Sequence, residues 1–204
     1  FCSNDLSSFY FDIRKDSLYC DDKTSQKRKS CRSTLKIIFD FLTAWFAPIL
    51  CFTVEEAWLS NNFNHKESIH LRIFPKTDKK WSDKNLGEKW REIINIRKVV
   101  TSAIEIEREK KIIGSSLEAS TELTVSKKIK NYLNDINLND LFIVSSAKIV
   151  DKLSGDTFSL AGINDTKVKV KKSDGLKCER CWVISKEVNN KNLCKRCQSV
   201  IRNE

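Results

Sequence analysis

Apolar side chains recur at three- and four-residue steps through the first half of the chain, as in helices that bury one face. Leu6, Phe9, Tyr10, Ile13 and Leu18 predict a first helix. A polar turn over 21–26 separates it from a longer periodic run through Cys31, Leu35, Ile38, Phe39, Leu42, Trp45, Phe46 and Ile49. Pro48 opposes continuation, and Thr53 ahead of Glu55 and Glu56 predicts a capped short helix holding Trp58. The polar stretch 61–80, with Pro75 and only the brief run Ile69 to Phe74, predicts an extended connector. Asp83 can cap a third long helix, on which Leu86, Trp90, Ile93, Ile96, Val100, Ala103 and Ile104 keep one face until Gly114 stops it at about Ile113.

The period then changes from helical to alternating. Ala119, Thr121, Leu123 and Val125 alternate with polar neighbours, Leu141 to Val150 is β-branched and apolar, and Val168 and Val170 alternate with lysines. Three short strands around one small helix are expected. The fold class expected is mainly α, a helical bundle followed by a small α+β region and a C-terminal four-cysteine finger. The boundaries expected are 1–114, 115–172 and 173–204. Trp45, Trp58 and Trp90 fall at helical spacing and are expected in the core.

The run Phe41 to Val54 is free of charge but only 14 residues long, too short to cross a hydrocarbon core and broken by Pro48. It is read as a buried helix, and no membrane association is expected. The N-terminus lacks the basic and apolar regions of a secretory signal, and no methionine occurs in the chain, so a processed or C-terminal piece of a longer protein is expected. With 40% hydrophobic residues among 204, the chain can build a core, which excludes general disorder. Its net charge is +10, the balance of a protein that meets a polyanion. Residues 167–204 hold eleven bases against four acids, a net of +7, so most of the excess lies in the tail.

Eight cysteines divide into four scattered ones (Cys2, Cys20, Cys31, Cys51) and two Cys-x-x-Cys hooks, Cys178/Cys181 and Cys194/Cys197, twelve residues apart. A two-residue spacer turns both sulfurs of a hook toward one ion, and two hooks complete a closed tetrahedral shell for a single structural Zn²⁺. Disulfides or an iron or redox role are the alternatives, and a reducing cytoplasm suits both groups of cysteines. Lys177, Arg180, Lys195 and Arg196 favour the thiolates that ligation needs. Trp182 after the first hook either lids the metal or stacks on an unpaired base beside Arg180. His65 and His70 have no interpretable partner pattern and receive no catalytic role.

As a set, these residues resemble the C-terminal part of the bacterial isoleucyl-tRNA synthetase family, over essentially the whole chain. The similarity is carried by Phe9 to Tyr19, by Trp45-Phe46-Ala47-Pro48 through Glu55-Glu56-Ala57-Trp58, by Ser68 to Leu71, and by Lys111 to Ala119. Cys178-Glu179-Arg180-Cys181-Trp182 and Leu193-Cys194-Lys195-Arg196-Cys197 complete it. The resemblance implies an anticodon-binding helical domain and a zinc tail of a ligase that uses ATP to attach isoleucine to its tRNA. The partner implied is the tRNA for isoleucine, the compartment the cytoplasm, and the state monomeric. The family's ATP-site signatures, His-Ile-Gly-His and Lys-Met-Ser-Lys-Ser, have no match, so ATP would bind only in a catalytic domain absent from this chain, and the chain alone is expected to be inactive.

Arg180, Trp182, Lys195 and Arg196 are the candidate RNA contacts on the hooks. Lys27, Arg28, Lys29 and Arg32 at the start of the long helix form a second cluster, which either meets the tRNA or is a solvated helix end. A zinc-finger DNA-binding protein, or the C-terminal region of a DNA-repair glycosylase, is the rival reading, because it too ends in two such hooks within basic sequence.

Overall fold

The computed structural model describes residues 1–61 and 67–202, which leaves His65 outside. The chain divides into two compact units, one of Lys23–Asp83 and one of Phe1–Asp22 with Lys84–Glu204.

In the unit of Lys23–Asp83, α2 (Gln26–Phe46) is capped by the Ser25 side chain, which accepts the Arg28 N–H, and it ends two residues ahead of Pro48. The short helix α3 (Cys51–Ser60) follows. Ala47, Val54, Trp58 and Ile69 form a small core with Phe39 and Phe46 beside it. Trp58 stacks on Phe39, and its Nε1–H donates to the Glu67 carbonyl at 3.1 Å. The Glu55 carboxylate accepts from the Ser68 hydroxyl (3.0 Å) and the Ile69 N–H (2.9 Å), which ties α3 to the 3₁₀ turn Ile69–Leu71. The expected single buried helix over 41–54 is therefore two helices and a turn, with much of its apolar surface in water. Trp45 is 48% exposed and Phe52 91%. A core this small cannot cover every large side chain that such a stretch carries.

In the other unit, Cys2–Phe11 is wound more widely than an α-helix, with the Leu6 N–H bonded to the Phe1 carbonyl, and runs into α1 (Asp12–Cys20). The helix α4 spans Lys84–Glu109 and stops earlier than its pattern predicts. Lys111, at φ 59°, takes the left-handed position after the helix, its N–H bonded to the Arg108 carbonyl and that of Ile112 to the Glu107 carbonyl. These two bonds close the helix without a glycine.

A four-stranded sheet follows in the order β2-β1-β4-β3, from β1 (Ala119–Thr124), β2 (Ser146–Ile149), β3 (Phe158–Leu160) and β4 (Ile163–Lys172). β1 and β2 are parallel and joined through α5 (Lys127–Leu133) and α6 (Leu138–Phe142), while β4 is antiparallel to β1 and β3. Leu141 and Phe142, expected in a strand, end α6, and Ile143 at φ 56° turns the chain toward β2. There are thus four strands and two small helices where three and one were expected. Ile93, Val99, Val100 and Ile104 of α4 share one core with Ala119, Leu123 and Val168 of the sheet and with Phe142. The expected boundary at 114/115 falls inside that core, and neither it nor 172/173 coincides with the division into compact units. Trp90 packs on this core, edge-on to Phe9. The broad order expected, helices first, then α+β, then a four-cysteine segment, is the order observed. Among the described residues no helix is long and apolar enough to cross a membrane.

Candidate metal centre and its surroundings

The last segment is a hairpin of two-residue strands, β5 (Leu176–Lys177) against β6 (Ile184–Ser185), followed by α7 (Lys195–Arg202). Cys178 and Cys181 lie in the turn between the strands, Cys194 just before α7 and Cys197 in its first turn. Tight backbone bonds shape the first hook: the Trp182 N–H donates to the Cys178 carbonyl and the Cys178 N–H to the Val183 carbonyl. Trp182 sits at φ 65° and Asn192, ahead of the second hook, at φ 56°. The Asn192 amide donates to Glu179 Oε1 at 2.8 Å and so links the two turns. Gly175, at φ 127°, is required where the hairpin closes, because a Cβ there would lie 2.4 Å from the Ser185 carbonyl carbon.

All four Sγ atoms lie within 4.8 Å of one another, and those of Cys181 and Cys194 are 3.7 Å apart. Four sulfurs at about 2.3 Å around one tetrahedral ion stand about 3.8 Å from each other, so the set fits zinc. Cys178, Cys181 and Cys197 are buried. Burial pushes the Cys178 thiol up, but the backbone N–H groups of Cys181, Cys194 and Arg180 aimed at its sulfur outweigh this and bring it down to about 6. Burial raises Cys197 to about 11 despite the Arg180 guanidinium, and raises Cys181 further. At neutral pH, Cys178 therefore meets a metal as thiolate, while Cys181 and Cys197 must each release a proton.

The affinity should accordingly strengthen as pH rises, by about one decade per pH unit for each thiol proton that ligation releases. Competition titrations at two pH values, with calorimetry in two buffers to count protons, measure this. An affinity that does not change with pH contradicts it.

The structure ties two of the four candidate RNA contacts on the hooks to α1 and the residue after it. The Arg180 guanidinium donates to the carbonyls of Cys20 (2.6 Å) and Tyr19 (3.3 Å), which end α1. Arg196 forks onto Asp16 at 2.5 and 2.7 Å and reaches Asp21 at 3.3 Å. These contacts fasten the finger to α1 and press Cys20 against the thiol cluster. Burial, followed by the Asp16 carboxylate, raises Cys20 to about 11. Nothing in the spacing along the chain indicates these pairings, which join residues 160 to 180 positions apart.

The other two candidates face outward. Trp182 is 59% exposed, so it does not lid the thiols, and the Lys177 ammonium lies 5.3 Å from its ring centre. Lys195 is exposed and pairs with Glu187 at 2.9 Å. Both line a cleft of about 660 Å³ between α1, the α6–β2 turn and the finger, together with Tyr19, Ile143 and Ser145. Lys27, Arg28 and Arg32 lie on the first two turns of α2, with Arg32 exposed and the other two half-buried.

A family model described as the anticodon-binding domain of tRNA ligase matches residues 1–123, and one described as a zinc finger found in FPG and IleRS matches 175–200. The chain is similar to the isoleucine–tRNA ligase of Zymomonas mobilis subsp. mobilis, 39% identical over 98% of this chain and 21% of that protein. It is also similar to those of Bradyrhizobium diazoefficiens (41% identical, 92% of this chain and 19% of the relative) and Bartonella henselae (39%, 93% and 20%). The chain thus spans about a fifth of the length of the curated relatives it matches.

Proposed function

Because this chain belongs to the family of anticodon-binding domains of tRNA ligases, we propose that it is the anticodon-binding and zinc-finger part of an isoleucine–tRNA ligase. Such a ligase joins isoleucine to its tRNA with ATP. The observation that carries this reading is the union, in one chain, of the anticodon-domain match with a four-thiol cluster whose rim exposes an aromatic ring. The rival reading as a DNA-binding or DNA-repair protein has no counterpart for the match over 1–123.

Cys178, Cys181, Cys194 and Cys197 hold one Zn²⁺, whose role is to fix the finger. An anticodon loop offers unstacked bases, which aromatic side chains recognise by stacking, while its phosphates attract cations. Trp182 supplies the stacking surface and Lys195 a phosphate contact, with Arg180 and Arg196 as positioning residues that hold the rim on α1. Lys27, Arg28 and Arg32 supply a second phosphate contact, on α2. The reaction itself belongs to a catalytic domain outside this chain, where ATP binds. Binding here places the acceptor end of the tRNA by fixing the far end of the same rigid molecule. The protein acts as a monomer in the cytoplasm.

Replacing Trp182 by alanine in the full-length enzyme should lower kcat/KM for tRNA charging about tenfold, the range of one lost base stack. Isoleucine-dependent ATP–pyrophosphate exchange should stay the same, because it needs no tRNA. Equal loss in both assays would mean that the variant is unfolded, and no loss in either would overturn the assignment of Trp182.

A further inference from the structure

The alternation of valine and lysine along β4 is not accounted for by the finger or its rim. Val168 and Val170 sit opposite Leu123 and Thr121 of β1 and face the core, so the period-two geometry of a strand turns Lys167, Lys169 and Lys171 to the opposite face. The parallel ladder places Lys148 of β2 beside Glu122 on that same face. Four lysines, one on β2 and three on β4, thus flank β1 on a rigid surface that also carries two acids, Glu122 and Asp165. Lys171 Nζ lies 3.1 Å from both Glu122 carboxylate oxygens, and Lys169 donates to the Ser154 carbonyl. Lys148 and Lys167 are exposed and form no ion pair among the described residues.

The character of this face selects its partner. No large apolar side chain between 114 and 175 is exposed, whereas protein interfaces are built around aromatic and apolar anchors. The face also lacks the aromatic platform that unpaired bases need. What it offers is a row of cations with steps of about 6.7 Å along β4 and a further cation about 9.6 Å away across β1, with the hydroxyls of Ser120 and Thr124 between them. Lysines and hydroxyls on rigid backbone contact phosphates without reading sequence.

We propose that the outer face of this sheet binds the phosphate backbone of a paired RNA stem, as a contact separate from the base-stacking rim at Trp182. The proposal rests on the tRNA reading above, since the stem belongs to the same RNA whose loop that rim holds.

The test is filter binding of isoleucine tRNA to the full-length, zinc-loaded protein across a potassium chloride series from about 50 to about 300 mM, where each phosphate contact contributes about 0.7 to 0.9 to the slope of log K against log salt. The variant K148Q/K167Q/K169Q should lower the magnitude of that slope by about 2 and weaken binding at least tenfold at the lowest salt, with an unchanged melting curve. Glu122→Gln, which removes an acid from the middle of the face, should tighten binding. Trp182→Ala should weaken binding at every salt concentration with the slope unchanged. If the lysine variant keeps the wild-type slope while Trp182→Ala still weakens binding, the sheet surface is refuted and the rim stands. If neither variant changes binding, both fall.

Discussion

Chelation of the metal from the full-length protein is expected to unfold residues 176–200 and leave α4 and the sheet intact. The reason lies in what each region buries. The core around the hooks consists of Cys20, Cys178, Cys181 and Cys197, three of which are proposed metal ligands, while Leu176, Trp182 and Ile201 stay in water. Two-residue strands cannot stand alone, and an apolar core this small does not offset the ordering of some 25 residues. Metal ligation in zinc peptides contributes about 10–16 kcal/mol, as much as the whole stability of many ordinary domains, and so decides the state of the finger. The core of α4 and the sheet holds fifteen buried residues and no ligand. NMR signals of Ile184 and Val200 should collapse to unfolded positions on chelation and return with zinc, while those of Val99 and Leu123 persist. Cys197→Ser should reproduce the collapse and remove most of the tRNA affinity without chelator. Signals of Ile184 and Val200 that survive metal removal would show that side-chain packing holds the finger.

The hooks are legible in the sequence because ligand spacing is a local property, and the long helices because their apolar stripes repeat over many turns. Features set by one residue or by distant partners are not. Lys111 stops α4 in a conformation that sequence rules assign first to glycine, so the helix pattern ran on to Gly114. The apolar character of Leu141 and Phe142 suits a strand as well as the end of a helix, and only the Asn137 side chain, which caps α6, marks the choice. β3 is three residues long, below the length at which alternation can be recognised. Arg180 and Arg196 carry the composition of an RNA contact, but their partners, the end of α1 and Asp16, lie in the first 22 residues. Charge counts over the tail cannot show that these two cations are already held by partners near the start of the chain.

Replacing Arg196 by alanine is expected to loosen the finger from α1 by about 2–3 kcal/mol, a factor of roughly 30 to 150 in the opening equilibrium. The value exceeds that of an ordinary surface pair because the guanidinium meets Asp16 through two bonds and reaches Asp21, whose side chain is only 14% exposed. Its removal takes the guanidinium from both carboxylates at once. It falls short of a fully buried pair because the side chains of Arg196 and Asp16 keep 38% and 31% of their surface in water, where solvent screens the attraction. Cys20 reports the opening directly. It is 7% exposed beneath Arg180 and held largely as thiol, so an alkylating reagent reaches it only when the finger lifts. In the zinc-loaded protein, the rate of Cys20 modification read by mass spectrometry should rise by that same factor in Arg196→Ala, while exposed Cys2 and Cys51 react as before. Asp16→Ala should show a similar rise, and the double variant little more than either alone, because the two changes remove one interaction. Additive rates in the double variant would show that Arg196 and Asp16 act independently, and would leave the attachment of the finger to the Arg180 contacts with Tyr19 and Cys20.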